Sequence, residues 1–239
     1  MSYIIHSNGQ SMGLDGRVRM GGGRNVVSIN DPFNGSTYTL VSGGVTPNGL
    51  WKAEYANGSG AGVQSASGYT NVFWAQPRTS FSGTGLDSYS CLVLSQNGFN
   101  DFDLTLDMRT RSQIRTAFPA RKWEAGQIFW RYSDAYHHYY FVMKQDGGCE
   151  FGKKDNPNST DTVQIIYDGP PPSSGGNLWQ IVRVRAEGKR HSVYLDGTLI
   201  IDTYDSGNSG ATAAMAAGKV GMYAQDAFAE WRNLQLVGL

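Results

Sequence analysis

The residues with the richest chemistry lie between Gly126 and Lys154, in GQIFWRYSDAYHHYYFVMKQDGGCEFGKK. This stretch holds two adjacent histidines, His137 and His138, the triplet Trp130-Arg131-Tyr132, the pair Tyr139-Tyr140, and the cations Lys144 and Lys153. Together with Arg109 and Arg111 these types would suit cleavage of an acidic polysaccharide by elimination. Such a reaction needs a cation to neutralise a uronate carboxylate, a His or Tyr to remove the C5 proton, and a Tyr to return a proton to the leaving oxygen. In that reading His137, Tyr140 and Arg131 carry the catalysis. Arg109, Arg111, Trp130, Tyr132, His138, Lys144 and Lys153 bind the ligand. The same residue types are also common on surfaces that only bind sugars, and large aromatics on a sandwich strand commonly belong to the core.

The elements that must position these side chains read as β-strands. Over Gln127–Tyr132 strict alternation sets Ile128, Trp130 and Tyr132 on one side and Gln127, Phe129 and Arg131 on the other. His137 to Lys144 alternates again, so His137 and His138 point to opposite faces and cannot line one pocket on a regular strand. Asp146-Gly147-Gly148 is a hairpin signal, since both glycines accept positive φ. The clearest alternation is Phe102, Leu104, Leu106 and Met108 against Asp103, Thr105, Asp107 and Arg109, the pattern of an antiparallel strand with one buried face. Further strands are expected at Tyr38–Ser42, Trp51–Tyr55, Val72–Trp74, Ser88–Leu94, Val163–Tyr167, Leu178–Ala186, His191–Leu195, Leu199–Asp202, Lys219–Ala224 and Phe228–Val237. Gly58–Gly68, Arg111–Lys122, Gly169–Gly176 and Asp205–Gly218 read as loops. No long helix and no internal repeat is visible. Residues 1–30 are an irregular Gly-rich arm, and residues 31–239 form one domain.

Composition agrees with an all-β chain. Among 239 residues there are 31 glycines, aromatics make 12% and charged residues 17%, and the formal net charge is zero. Many tight turns and short strands fit those figures. Neutrality argues against a nucleic-acid partner, which selects a basic face. A local cationic run exists (Arg109, Arg111, Arg115, Arg121, Lys122, Arg131 against Glu124), readable as a solvated loop or as a site for an acidic ligand such as a uronate-containing glycan. The two cysteines, Cys91 and Cys149, are no disulfide framework, although a sandwich could bring them together. The amino terminus lacks the basic start and apolar run of a secretory signal, and no apolar stretch is long enough to span a membrane. The expectation is a soluble chain without membrane insertion, at an extracellular or virion surface or in the cytoplasm.

From Phe99 onward four pieces, GFNDFDLTLDMRT, GQIFWRYSDAYHHYYFVMKQDGG, LWQIVRVRAEGKRHSVYLDGTLIIDTYDSG and GKVGMYAQDAFAEWRNLQL, resemble in order the concanavalin A-like lectin/glucanase jelly rolls. Laminin-G-like modules and relatives of the three-keto-disaccharide hydrolase domain are the members most similar. The resemblance covers residues 99–239 well and 31–98 weakly. It implies an antiparallel β-sandwich of the jelly-roll type. In similar jelly rolls one carboxylate near the first strand and one near the last hold a structural calcium, which here implies Asp31 and Asp226. The fold hosts lectins, hydrolases, lyases and structural domains, so it leaves function open. The laminarinase-type run Glu-x-Asp-x-x-Glu is missing, and the glutamates are isolated. Arg111-Ser112-Gln113-Ile114-Arg115 and Gly126-Gln127-Ile128-Phe129 resemble alginate-lyase motifs but lack their glutamate and histidine. The leading expectation is a non-catalytic module binding a glycan or cell-surface polysaccharide, or a structural protein pairing with copies of itself or other virion proteins, as in a phage decoration or tail protein. The alternative is a polysaccharide lyase, ahead of a glycoside hydrolase.

Overall fold

The computed structural model describes residues 4–5, 10–12, 18–20, 27–66, 69–79, 88–116, 119–155, 163–169, 177–205 and 215–239. Near the amino terminus β1 (Ile4–Ile5), β2 (Gln10–Met12) and β3 (Val18–Met20) pair as a small antiparallel sheet. The first half of the remaining chain makes β4 (Ser28–Asp31), β5 (Tyr38–Leu40), β6 (Trp51–Ala56), β7 (Gly58–Ala66), β8 (Tyr69–Pro77), β9 (Ser90–Phe99) and β10 (Phe102–Gln113). The central hairpins are β11 (Gly126–Asp134), β12 (His137–Met143), β13 (Cys149–Asp155) and β14 (Val163–Gly169). The last five strands are β15 (Gln180–Glu187), β16 (Arg190–Leu195), β17 (Thr198–Tyr204), β18 (Gly218–Gln225) and β19 (Ala227–Gly238). Among the described residues there is no helix.

Two antiparallel sheets face each other, as the alternation predicts. The larger runs β17-β16-β15-β10-β19-β8-β7-β5, with β4 also paired to β19, and the smaller runs β14-β13-β12-β11-β18-β9-β6. One face of each meets in the core. On β10 the buried residues are Phe102, Leu104, Leu106 and Met108, while Asp103, Thr105, Asp107 and Arg109 stay partly exposed. The opposing wall comes from Trp51, Val93, Ile128, Trp130, Phe141, Phe151 and Met222, all sequestered from water. Removing that apolar area from water is the main stabilising term.

The expected loop at Gly58–Gly68 is instead β7 over Gly58–Ala66, paired with β8 along its length and with β5 from Ala61 to Val63. Its glycines serve close approach rather than flexibility. A Cβ on Gly62 would fall on the Tyr38 carbonyl of β5, so only glycine lets those backbones come together there. β10 also runs on to Gln113, three residues into the stretch read as a basic loop.

The chain changes sheets at tight points between β6 and β7, at Asn57, between β9 and β10, at Asn100-Asp101, and between β18 and β19, at Asp226, which holds φ at 43°. The last two are each tied by an arginine. Arg131 donates to the carbonyls of Asn100 (3.1 Å), Gly188 (2.6 Å) and Met215 (2.7 Å), and pairs with Asp101 at 3.3 Å. Arg115 bridges Glu124 (2.7 Å) and Asp226 (2.9 Å), with all three side chains buried. Breaking one partner of such a buried pair leaves an uncompensated charge.

Gly218 opens β18 directly against the Arg131 backbone. A Cβ there would sit 2.7 Å from the Tyr132 nitrogen and nearer still to the Arg131 carbonyl carbon. Gly218→Ala is therefore expected to lower unfolding stability in urea by about 2 kcal/mol, the usual scale of overpacking. Gly35→Ala, where an added Cβ meets nothing within 4 Å, is expected to change it little.

Candidate functional site

The outer face of the smaller sheet, the one turned away from the core, is aromatic. β18 contributes Tyr223, β11 contributes Phe129 and Tyr132, β12 contributes His138 and Tyr140, and β6 contributes Tyr55, with Leu92, Leu94 and Val142 between them. The Phe129 ring is stacked on both sides, by Tyr223 at 4.5 Å and by His138 at 4.3 Å between centroids. Tyr132 lies 5.5 Å from His138 and 6.4 Å from Phe129. Adjacent strands sit about 4.8 Å apart, so ring after ring across neighbouring strands produces such a ladder.

Strict alternation would put Tyr132 in the core beside Trp130. A bulge prevents this. The register between β11 and β18 slips between Phe129 and Tyr132, and Arg131 takes φ of 49°. The inserted residue reverses the facing of everything after it. Trp130 remains in the core, Arg131 buries its guanidinium, and Tyr132 emerges beside Phe129.

Polar groups border the rings. Tyr140 donates to Glu150 Oε1 at 2.6 Å, and Lys144 Nζ binds Glu150 at 2.7 Å and Asp168 at 2.6 Å. Burial disfavours the Lys144 ammonium, but the bonds to Asp168 and Glu150 outweigh it and the net shift is upward. Burial pushes the Tyr55 and Tyr223 phenols up, and the nearby Ser90 side chain opposes the shift in each. His138 Nδ1 lies 3.3 Å from the Asp134 carbonyl. Burial, aided by the Lys154 charge, pushes its pKa down to about 4, so the ring is neutral near neutrality.

The residues predicted to act together are dispersed. Of the proposed catalytic set, His137 is on the solvent side, held by Asp134 at 2.8 Å, Arg131 is spent on backbone carbonyls, and Tyr140 is on the aromatic face. Those three do not converge on one point. Trp130 is core, stacked 5.2 Å from Phe151, with its indole N–H donating to His191 Nδ1 at 3.2 Å. Lys153 points inward too, where Asp205 accepts from it at 2.7 Å and from the Tyr139 hydroxyl at 2.6 Å. Arg109 and Arg111 are on the opposite outer face, both bound to Glu230. Of the predicted binding set, Tyr132, His138 and Lys144 share the aromatic face. Of the cationic run, Arg109, Arg111, Arg115 and Arg131 are held in ion pairs, while Arg121 and Lys122 lie exposed in the loop that follows β10.

Asp31 and Asp226 do not form one ion site. Asp31 pairs across from Leu234, eight residues along β19 from Asp226, a separation of roughly 26 Å. Each carboxylate is also engaged: Asp31 accepts from Trp51 Nε1 (2.9 Å), Asn48 Nδ2 (3.0 Å) and the Phe33 amide (3.0 Å), and Asp226 accepts from Arg115, Ser88 and the Tyr89 amide. Among the described residues no group of three or more His, Cys, Asp or Glu is placed to hold a metal. Cys91 and Cys149 are both free and buried.

Phe129, Tyr223 and Tyr55 were not in the predicted set. Tyr223 could have been found from its place in KVGMYAQ, opposite in facing to Val220 and Met222. Phe129 and Tyr132 could not be joined without knowing of the bulge.

This chain belongs to the 3-keto-alpha-glucoside-1,2-lyase-like domain family, which it matches over residues 39–237, in keeping with the resemblance read from its later strands. No curated protein matches it in sequence. Among solved structures it is similar to one of the endo-acting O-glycanases that prominent members of the human gut microbiota express to initiate mucin breakdown, with 11% identity over 88% of this chain and 98% of that one and a TM-score of 0.54. It is also similar to a protein with a galectin-like fold from Bacillus subtilis (12% identity, 84% and 97% covered, TM-score 0.52). A third is a prokaryotic beta-1,3-1,4-glucanase (lichenase) derived from a mouse hindgut metagenome (11%, 85% and 99%, TM-score 0.50). At these identities the likeness is one of fold.

The buried imidazoles give stability a pH dependence of definite sign. His138 titrates near 4 and His191 near 3 when folded, against an ordinary 6.5. The unfolded chain therefore takes up these protons first, and stability present above pH 6.5 is lost as pH falls toward 4. The expected loss is on the order of a few kcal/mol. Urea unfolding at pH 7 and pH 4.5 measures it, and His138→Phe, which keeps a ring in the stack, should remove part of the difference while leaving the share of His191.

Proposed function

We propose that the chain recognises a glycan on the outer face of its smaller sheet and does not cleave it. The observation that carries this reading is the contrast between the two outer faces. On the larger sheet the outward side chains include matched charges, Asp103 with Arg183, Asp107 with Arg232, Glu230 with Arg109 and Asp202 with Arg190, beside the exposed Ile181, Leu199 and Val237. On the smaller sheet they are closely packed rings and aliphatics, with Tyr55 and Tyr223 more open and Phe129, Tyr132, His138 and Tyr140 each at most 7% exposed. A ring-lined apolar surface with polar groups at its edge has the make-up of a ligand site. The C–H faces of a sugar pack on aromatic surface, while its hydroxyls need placed donors and acceptors. Tyr132, Tyr223, Glu150 and Lys144 supply both at this face. The stacked row is held rigid by its own contacts, which lowers the ordering cost of binding.

Family membership and the glycan-active neighbours support a carbohydrate ligand by analogy. Against cleavage stands the scatter of His137, Tyr140 and Arg131, because an eliminating site needs its base, its acid and its cation at one carbon.

Retardation in gels containing soluble polysaccharides, with ultraviolet absorbance recorded for unsaturated products, tests both parts. Tyr132→Ala and Tyr223→Ala should each weaken retention about tenfold, Arg109→Ala should leave it unchanged, and no absorbance should develop. Product formation would overturn the non-catalytic reading. Equal losses from Arg109→Ala and Tyr132→Ala would overturn the assignment of the face.

A further inference from the structure

Resting on the glycan reading, we infer that the chain holds a second contact for its ligand, a rim at one end of the sandwich that takes a carboxylate-bearing saccharide. Arg78 over Tyr89 and Lys122 beside Trp123 make this rim, where β9 and β11 begin and β8 and β18 finish. Its side chains are open to solvent. Arg78, Arg121 and Lys122 are exposed, Trp123 is 41% exposed, and Tyr89 is half-buried. The Arg78 guanidinium lies 3.8 Å from the Tyr89 ring centroid, and that of Arg121 lies 5.6 Å from Trp123. A guanidinium over a ring keeps its edge donors, the fork that grips a carboxylate. β9 and β11 flank β18, so their leading ends stand about 10 Å apart, the span of a short saccharide. One buried triad fixes both ends of the rim. The Tyr89 amide donates to Asp226 at 3.0 Å, the Arg121 amide donates to Glu124 at 3.1 Å, and Arg115 bridges the two carboxylates. Groups held this way lose little freedom on binding.

The balance of exposed charge at this end is cationic. Asp226 and Glu124 are buried and engaged by Arg115. Asp168, three strands along from β11, is bound to Lys144. Arg78 has no carboxylate partner among the described residues. Lys122 has a loose one, Asp146 at 3.7 Å, with side chains 48% and 51% exposed. Such a solvated pair is worth little, so an arriving carboxylate competes with it readily. Beside Lys122 the open Trp123 ring gives the sugar an apolar face to pack on while its carboxylate gains a charge-assisted bond. The Arg121-Lys122-Trp123 run, read from the sequence only as part of a basic loop, thereby acquires a role.

The test compares alginate and polygalacturonate with their carboxyl-reduced counterparts in affinity gels at physiological salt. The proteins are the wild type, the Arg78→Gln/Lys122→Gln double variant, Trp123→Ala, Asp146→Asn and, for the aromatic face, Tyr223→Ala, with the rim variants checked for an unchanged melting temperature. At least one acidic polymer should retain the wild type about tenfold more strongly than its reduced form, and the double variant should lose about that factor on the acidic polymer alone. Trp123→Ala should weaken retention on the acidic polymer. Asp146→Asn keeps an acceptor for the Gly148 amide and releases Lys122, and should strengthen that retention about twofold. Tyr223→Ala should weaken retention on both forms alike. Equal retention on acidic and reduced forms would overturn the rim and leave the glycan reading standing. Acid-selective retention that survives unchanged in the double variant would overturn the assignment to Arg78 and Lys122. Absence of retention on every polymer would overturn the glycan reading and this inference with it.

Discussion

Much of this molecule hangs on the buried guanidinium of Arg131. Its donors reach the carbonyls of Asn100, Gly188 and Met215 and the Asp101 carboxylate. Those acceptors belong to a crossing between the sheets, to the β15–β16 turn, and to the approach to β18. One side chain of the smaller sheet thereby fixes three separate segments. Burial alone pushes the guanidinium toward losing its charge, and Tyr139 and Asp101 oppose this. An arginine in such a setting stays charged, so every donor left unmet would cost desolvation energy in full. The acceptors are therefore requirements of the burial, and the bulge is what brings the side chain among them.

The same bulge decides which rings face outward. With regular pairing Tyr132 would enter the core, where Trp130, Tyr139 and Phe151 already fill the space. Positive φ at a non-glycine residue costs of order 1 kcal/mol, and the contacts of Arg131 offset it. Tyr132 can then reach His138 and Phe129. Structure and candidate site are thus coupled at one residue. A substitution of Arg131 would disturb the sheet crossing and the aromatic face together, and the loss of either function would not separate the two roles.

Legibility in the sequence followed how local each determinant was. The alternation of Phe102–Arg109 needed only a period of two, and the unbroken register with β15 obeys it. Asp146-Gly147-Gly148, where Gly147 takes positive φ, was readable as a hairpin because turn chemistry is local. Gly58–Ala66 was not readable, because glycine and serine favour loops unless another backbone presses close, and the Tyr38 carbonyl is distant in sequence. The fate of Arg109, Arg111 and Arg115 was hidden for a like reason, since Glu230 and Asp226 are distant in sequence and Glu124 is reached only through the fold of the intervening loop. His137 and His138 were rightly read as facing opposite sides. Which side held the site depended on the slip at Arg131.

Zero net charge first argued only against a nucleic-acid partner, yet its distribution says more. On the larger sheet's outer face each acid has its base close by, and the arginines also cover rings: Arg109 and Arg232 flank Trp179 at 4.6 and 4.2 Å. That surface is satisfied within itself, and a ligand there would have to break existing pairs to form new ones. Exposed pairs contribute little to stability, but their arrangement removes reactive charge from a broad area. On the smaller sheet the rings keep charge off the middle of the face, and Lys219 and Lys52 at its borders lack a matching acid among the described residues. Two faces of one neutral protein thus differ in what they can still bind, and the difference comes from pairing rather than from composition.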